Sequence, residues 1–154
     1  MRITQWGEYG ILIAAYLAKK QHTSPAQVVG AAEIAESQEI ALQYAQQILL
    51  RLRDGAIVES VRGPHGGYKL ARPLAQISLL DVLIAAEGNS FEIICEARPL
   101  ELPICKDGNS ANCFLKNIWL GLREQVDSYL SQFTLDRLVN EMNCERAAVV
   151  QLST

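Results

Sequence analysis

The chain has 154 residues, 49% of them hydrophobic and 20% charged, with a formal net charge of −3. That length supplies one core, or a small domain with an appended dimerisation helix; it excludes two independent large domains, and the balance excludes dominant disorder. The longest unbroken apolar stretch, Tyr9 to Ala18, falls far short of the roughly 20 residues of a membrane span, and Met1-Arg-Ile-Thr4 has no secretory character, so a cytoplasmic protein with no membrane partner is expected.

The first segment places Ile3, Trp6, Gly10, Ile13 and Leu17 on one helical face, with Tyr9, Leu12 and Tyr16 beside them. The polar break from Lys19 to Pro25 predicts its end. A short helix over Ala31 to Glu36 is followed by a second that starts near Ala41, carries Leu42, Ala45, Ile48, Leu49 and Leu52 inward and closes at Asp54-Gly55. Two such helices joined by a tight turn read as helix-turn-helix. Residues Ala56 to Arg62 then favour a strand, Gly63-Pro-His-Gly-Gly67 is turn chemistry, and Tyr68 to Arg72 returns as a second strand. This is the wing of a winged helix, and its glycine-rich tip suits close approach to another surface.

Ser78 as N-cap with Asp81 three residues on predicts a helix that ends by Gly88. Residues 89–112 show no period and read as a loop that needs something to organise it. A long helix from Cys113 to Phe133 bears a stripe of Leu115, Ile118, Leu122, Val126 and Tyr129, widened by Trp119, Leu130 and Phe133, and a short final helix follows Thr134. The expected fold is therefore mainly α with a small β-hairpin wing. It comprises a DNA-binding winged helix-turn-helix over 1–88, a cysteine-bearing loop over 89–112, and a dimerisation helix with a C-terminal segment over 113–154. Apolar stripes at both ends of the chain favour a homodimer.

Charge is unevenly placed. Residues 1–72 hold eight Lys/Arg against six Asp/Glu, and the remainder six against eleven. Arg51, Arg53, Arg62, Lys69 and Arg72 cluster around the hairpin, a local basic patch suited to double-stranded DNA. Arg62, beside Gly63 and Pro64, suits a minor groove; His65 stands at the same tip; Arg51 and Arg53 suit phosphates. Gln43, Gln46 and Gln47 offer amides to base edges, a geometry matched to adenine. A solvated basic face and ordinary polar helix surface are the bland alternatives.

Cys95, Cys105 and Cys113 are spaced Cys-x9-Cys-x7-Cys, with Cys144 apart. In a reducing compartment such thiols read as metal ligands, for an iron–sulfur cluster or zinc, or as redox-active or buried free thiols. The spacing alone chooses none of these, and a fourth ligand is missing; a carboxylate is one option.

The segment Leu52-Arg-Asp-Gly-Ala-Ile-Val-Glu-Ser-Val-Arg-Gly-Pro-His-Gly-Gly-Tyr68, with Met1-Arg-Ile-Thr4, Ile77-Ser-Leu-Leu-Asp-Val-Leu83 and the three later cysteines, resembles the IscR and NsrR family of winged-helix iron–sulfur regulators over roughly residues 1–140. The resemblance implies a homodimer with crossed long helices, a palindromic operator contacted by Gln43, Gln46 and Arg62, and an iron–sulfur cluster, [2Fe-2S] or [4Fe-4S], that alters DNA affinity. Two departures stand out: the cysteines are farther apart, and Lys116 replaces the histidine ligand of IscR-like proteins. In the NsrR-like branch a carboxylate near the N-terminus of the partner subunit ligates the cluster, and Glu8 matches that position, giving Cys95, Cys105, Cys113 and Glu8 as the ligand set. An exposed carboxylate favoured by the helix dipole is the alternative for Glu8.

The expected function is a transcription regulator that senses iron–sulfur status, redox state or nitric oxide. A cluster-free thiol regulator on the same fold is the second reading, and an iron–sulfur electron carrier or assembly factor the third. No nucleophilic triad, P-loop or dinucleotide motif supports an enzyme.

Overall fold

The computed structural model describes residues 4–90 and 114–151, with side chains as far as residue 143. Helix α1 spans Gln5–Thr23, and Thr4 caps it by accepting a hydrogen bond from Trp6 N. It ends at Thr23, within the expected break. Inside that break Gln21, a buried polar residue, uses both ends of its amide: Nε2 donates to the Pro25 carbonyl at 3.2 Å and Oε1 accepts from Leu70 N at 2.8 Å. Ile13, Ala14, Leu17 and Ala18 are fully buried, whereas Leu12, expected beside them, is 48% exposed.

Helix α2 spans Ala31–Ser37 and α3 spans Leu42–Asp54. The turn between them passes through Glu39 at φ 53° and is closed by Ile40 N donating to Ala35 O. Ala45, Ile48, Leu49 and Leu52 enter the core completely, but Leu42 is 44% exposed, contrary to expectation. As the first residue of α3 it lies roughly 10 Å along the axis from Leu49, above the layer the stripe fills.

Strands β1 (Val58–Val61) and β2 (Gly67–Leu70) pair antiparallel with Val58 opposite Leu70 and Val61 opposite Gly67. Val29 and Tyr68 exchange backbone hydrogen bonds, tying the segment before α2 to the hairpin. A 3-10 turn (Leu74–Gln76) leads to α4 (Leu79–Glu87), which opens with the expected capping box between Ser78 and Asp81 and ends at Gly88.

Helix α5 spans Phe114–Ser131 and α6 spans Leu135–Gln151. The final helix is thus 17 residues long, not short; Leu135, Leu138, Val139 and Met142 already carry the helical period, with Asp136 in its first turn. Residues 77–79 and 133–135 hold each other through Leu79 N to Phe133 O and Leu135 N to Ile77 O. The core therefore reaches beyond residue 88: Leu135 and Val139 join Ile13, Leu17, Ile48, Leu52 and Ile77 in one cluster. The apolar stripe of α1 is spent inside the chain. No residue of α5 is buried.

Candidate nucleic-acid interface

Gln43, Gln46 and Gln47 all lie exposed on α3, spaced three and four residues apart opposite the buried stripe, so one face of the second helix of the helix-turn-helix presents three amides. At the wing tip, Gly63 adopts φ 124°, a backbone conformation that a side chain would strain, and Gly66 N donates to Gly63 O to close the turn. A Cβ on Gly67 would stand 2.3 Å from the Val29 carbonyl. That glycine serves packing inside the domain, not approach to an outside surface. Arg62, Gly63, Pro64 and His65 are exposed at the tip.

The basic patch of the sequence is mostly neutralised in the fold. Lys69 pairs with Glu59 across the hairpin at 2.8 Å, Arg53 with Asp54 at 3.0 Å, and Arg72 reaches Asp81 at 3.8 Å and the Gln76 carbonyl at 3.3 Å. Arg51 turns inward: its guanidinium lies 4.2 Å from the Trp6 ring centre and Nη1 donates to the Ala86 carbonyl at 2.8 Å. It fastens α3 to α1 and α4 through a cation–π contact and a charge-assisted bond. Of the five basic residues around the hairpin, Arg62 alone has no such partner among the described residues. The pairs of Arg53 and Lys69 are exposed and contribute little to stability, so both remain available to phosphates.

Trp6 also packs against Tyr44 with ring centres 5.0 Å apart, and Tyr9 meets Tyr44 edge-on at 5.8 Å. Burial in this cluster raises the Tyr44 hydroxyl above its usual pKa, with Tyr9 adding to the effect and Arg51 opposing it. The recognition helix is thereby locked to the first turn of α1.

That turn holds Glu8, which is exposed, as expected of a carboxylate at a helix start. Its neighbours are held from a distance. One oxygen of Glu87, the last residue of α4, accepts from Thr4 N and Thr4 Oγ1 at 2.8 Å and from Gly7 N at 3.0 Å. A Cβ on Gly7 would fall 2.3 Å from that oxygen, so a side chain there would push the Glu87 carboxylate aside. Glu8 consequently stands within a turn of the point where the segment after α4 departs. Neither Glu87 nor the Trp6–Tyr44–Arg51 cluster was legible in the sequence, since their partners are scattered along it and no local pattern links them. Cys95, Cys105 and Cys113 lie outside the described residues, as does the side chain of Cys144; among the described residues no group of three His, Cys, Asp or Glu side chains could hold a metal.

Residues 3–141 match the Rrf2 family, described as iron-dependent transcriptional regulators. The chain is 34% identical over 146 residues to a Haemophilus influenzae protein described as an HTH-type transcriptional regulator, covering 95% of this chain and 91% of that one. It is 33% identical over 143 residues to the HTH-type transcriptional regulator IscR of Yersinia pseudotuberculosis, covering 93% and 82%. The structure of CymR, the global cysteine regulator of B. subtilis, superposes with a TM-score of 0.67 at 26% identity, covering 92% of this chain and 98% of that one. These relatives are regulators, not enzymes. With its recognition helix and wing in place and its family match spanning nearly the whole sequence, the chain belongs to the Rrf2 family of winged-helix, DNA-binding transcriptional regulators.

Proposed function

We propose that the protein is a cytoplasmic homodimer that binds a palindromic operator and adjusts its affinity through an iron–sulfur cluster held by Cys95, Cys105, Cys113 and Glu8. In this reading Gln43, Gln46 and Gln47 enter the major groove, Arg62 with Gly63 and His65 meets the minor groove, and Arg53 lies on phosphate. Arg51 acts from behind, holding α3 at its angle through Trp6 and Ala86; a phosphate contact would require it to leave both.

The observation that carries the cluster reading is the position of Glu8. Its carboxylate is exposed, makes no hydrogen bond or ion pair among the described residues, and sits in a turn fastened to Glu87, where the cysteine-bearing segment leaves α4. Three soft thiolates with one carboxylate suit iron, and the carboxylate is the weaker, exchangeable member, which would open one iron to a small molecule. Because the turn that holds Glu8 is fastened to the end of α4, ligation within one chain stands beside the cross-subunit arrangement that the resemblance implies. The similarity to CymR, a cysteine regulator, supports a second reading in which the same thiols work without a cluster.

Anaerobic purification with iron and sulfide analysis, absorption and Mössbauer spectra tests the proposal. A coloured protein whose iron is lost on alanine substitution of Cys95, Cys105 or Cys113, but not of Cys144, is expected; a colourless, iron-free protein selects the thiol reading. A heterodimer of one Glu8→Ala chain with one Cys105→Ala chain then locates the carboxylate. Cross-subunit ligation leaves one site with all four ligands, whereas ligation within a chain damages both sites.

A further inference from the structure

The exposed face of α3 carries one residue that polar recognition does not explain. Leu50 is 46% exposed, and at 100° per residue it lies about 20° around the helix from Gln43 and between the directions of Gln46 and Gln47. It occupies the middle of the face that presents the amides, on the side opposite Ala45, Ile48 and Leu52, all of which are fully buried. The same face holds no charge until its last turn, where Arg53 and Asp54 are bonded to each other, while Arg51 is drawn back over Trp6.

This composition selects base pairs by chemistry. Guanine in the major groove offers two acceptors, best met by the paired donors of arginine or lysine, and cytosine offers a donor, best met by a carboxylate; adenine offers an acceptor and a donor side by side, matched by a glutamine amide. Ahead of that last turn the face supplies three amides and neither kind of ion. Thymine alone among the bases projects a methyl group into the groove, and an aliphatic side chain is its complement. We propose that α3 reads A·T pairs, with Leu50 seated against the C5-methyl of a thymine in each half-site.

The inference rests on the DNA-binding reading above, and the experiment separates the two. Duplexes that bind the full-length protein are selected from a random library, and each thymine of the recovered half-site is then replaced by deoxyuridine, which deletes the methyl and keeps the pairing edge. At one thymine per half-site the replacement should weaken wild-type binding about fourfold, the value of one buried carbon at ~0.8 kcal/mol, and leave Leu50→Ala unaffected. Leu50→Ala should itself bind the selected duplex more weakly with an unchanged salt slope, which also shows that it folds. Deoxyuridine effects equal in the two proteins would overturn the assignment of Leu50. Half-sites with G·C pairs at the positions where Gln46→Ala loses discrimination would overturn the A·T reading. Failure to enrich any sequence would overturn groove recognition itself, and this inference with it.

Discussion

Helices α3 and α5 are both amphipathic, and they dispose of their apolar faces in opposite ways. Beyond Leu42 at its first residue, the stripe of α3 is fully buried within its own chain, whereas on α5 Leu115, Ile118 and Leu122 are each more than 40% exposed and Phe114 reaches 79%. A stripe of this size is not left to water in a stable protein. The contrast separates two kinds of energy: α3 is stabilised by folding and its outer face is free to read a ligand, while the open stripe of α5 is the surface that a second copy of the chain would cover in the proposed homodimer.

The most disruptive test of this contrast is Ile118→Asp combined with Leu122→Asp. The protein should become monomeric by sedimentation with its circular dichroism retained, and its operator affinity should fall by about 10²–10⁴-fold as the two half-sites cease to be linked. A dimer of unchanged affinity would remove α5 from the interface. Leu52→Ala makes the complementary test on α3. Deleting a fully buried leucine should cost about 2–5 kcal/mol in denaturant unfolding, while the folded fraction still dimerises.

Two changes on the reading surface should cost less and differ in kind. Arg62→Ala should weaken operator binding by about 1–3 kcal/mol, with fold and dimerisation unaltered, and identical affinities across a salt series would remove the wing from the DNA. Gln46→Ala should change sequence preference more than the salt slope. The smallest effect belongs to the surface between α1 and α2. Glu33 accepts from Lys20 Nζ at 2.8 Å and from the Tyr16 hydroxyl at 2.9 Å, and these bonds, that of Lys20 first, lower its pKa below the usual value. A lowered carboxylate pKa contributes stability that is present above the unfolded value and lost as pH falls through the folded one. Glu33→Gln should therefore lower Tm slightly at neutral pH, and the difference from wild type should vanish in acid. A difference that persists in acid would show that the charge is not what matters.

What could be read from the sequence was what local chemistry specifies. The capping box of Ser78 and Asp81, the Asp54-Gly55 stop and the wing turn all stand where their residues place them. What escaped depends on distant partners. The burial of Gln21 is decided by Leu70, and the role of Arg51 by Trp6 and Ala86, neither of which a scan of its neighbours reveals. The glutamine face was legible because a helical period and three amides suffice to define it. The clustering of basic residues overstated the free charge, since Glu59, Asp54 and Asp81 come close only when the hairpin and α4 are in place. The extent of α6 was within reach, because its apolar period continues past Val139.

The cap that Glu87 places on Thr4 and Gly7 joins residues about 80 positions apart, and this gives the start of α1 a conditional existence. Helix ends ordinarily fray on their own, with amide exchange set by local sequence. Here the amides of Thr4 and Gly7 are protected only while the last residue of α4 stays docked. Their exchange with deuterium therefore reports on an event at the other end of the domain. Anything that tugs on the chain just beyond Gly88 should first loosen the turn that holds Trp6, and through it the seat of Tyr44 on the recognition helix.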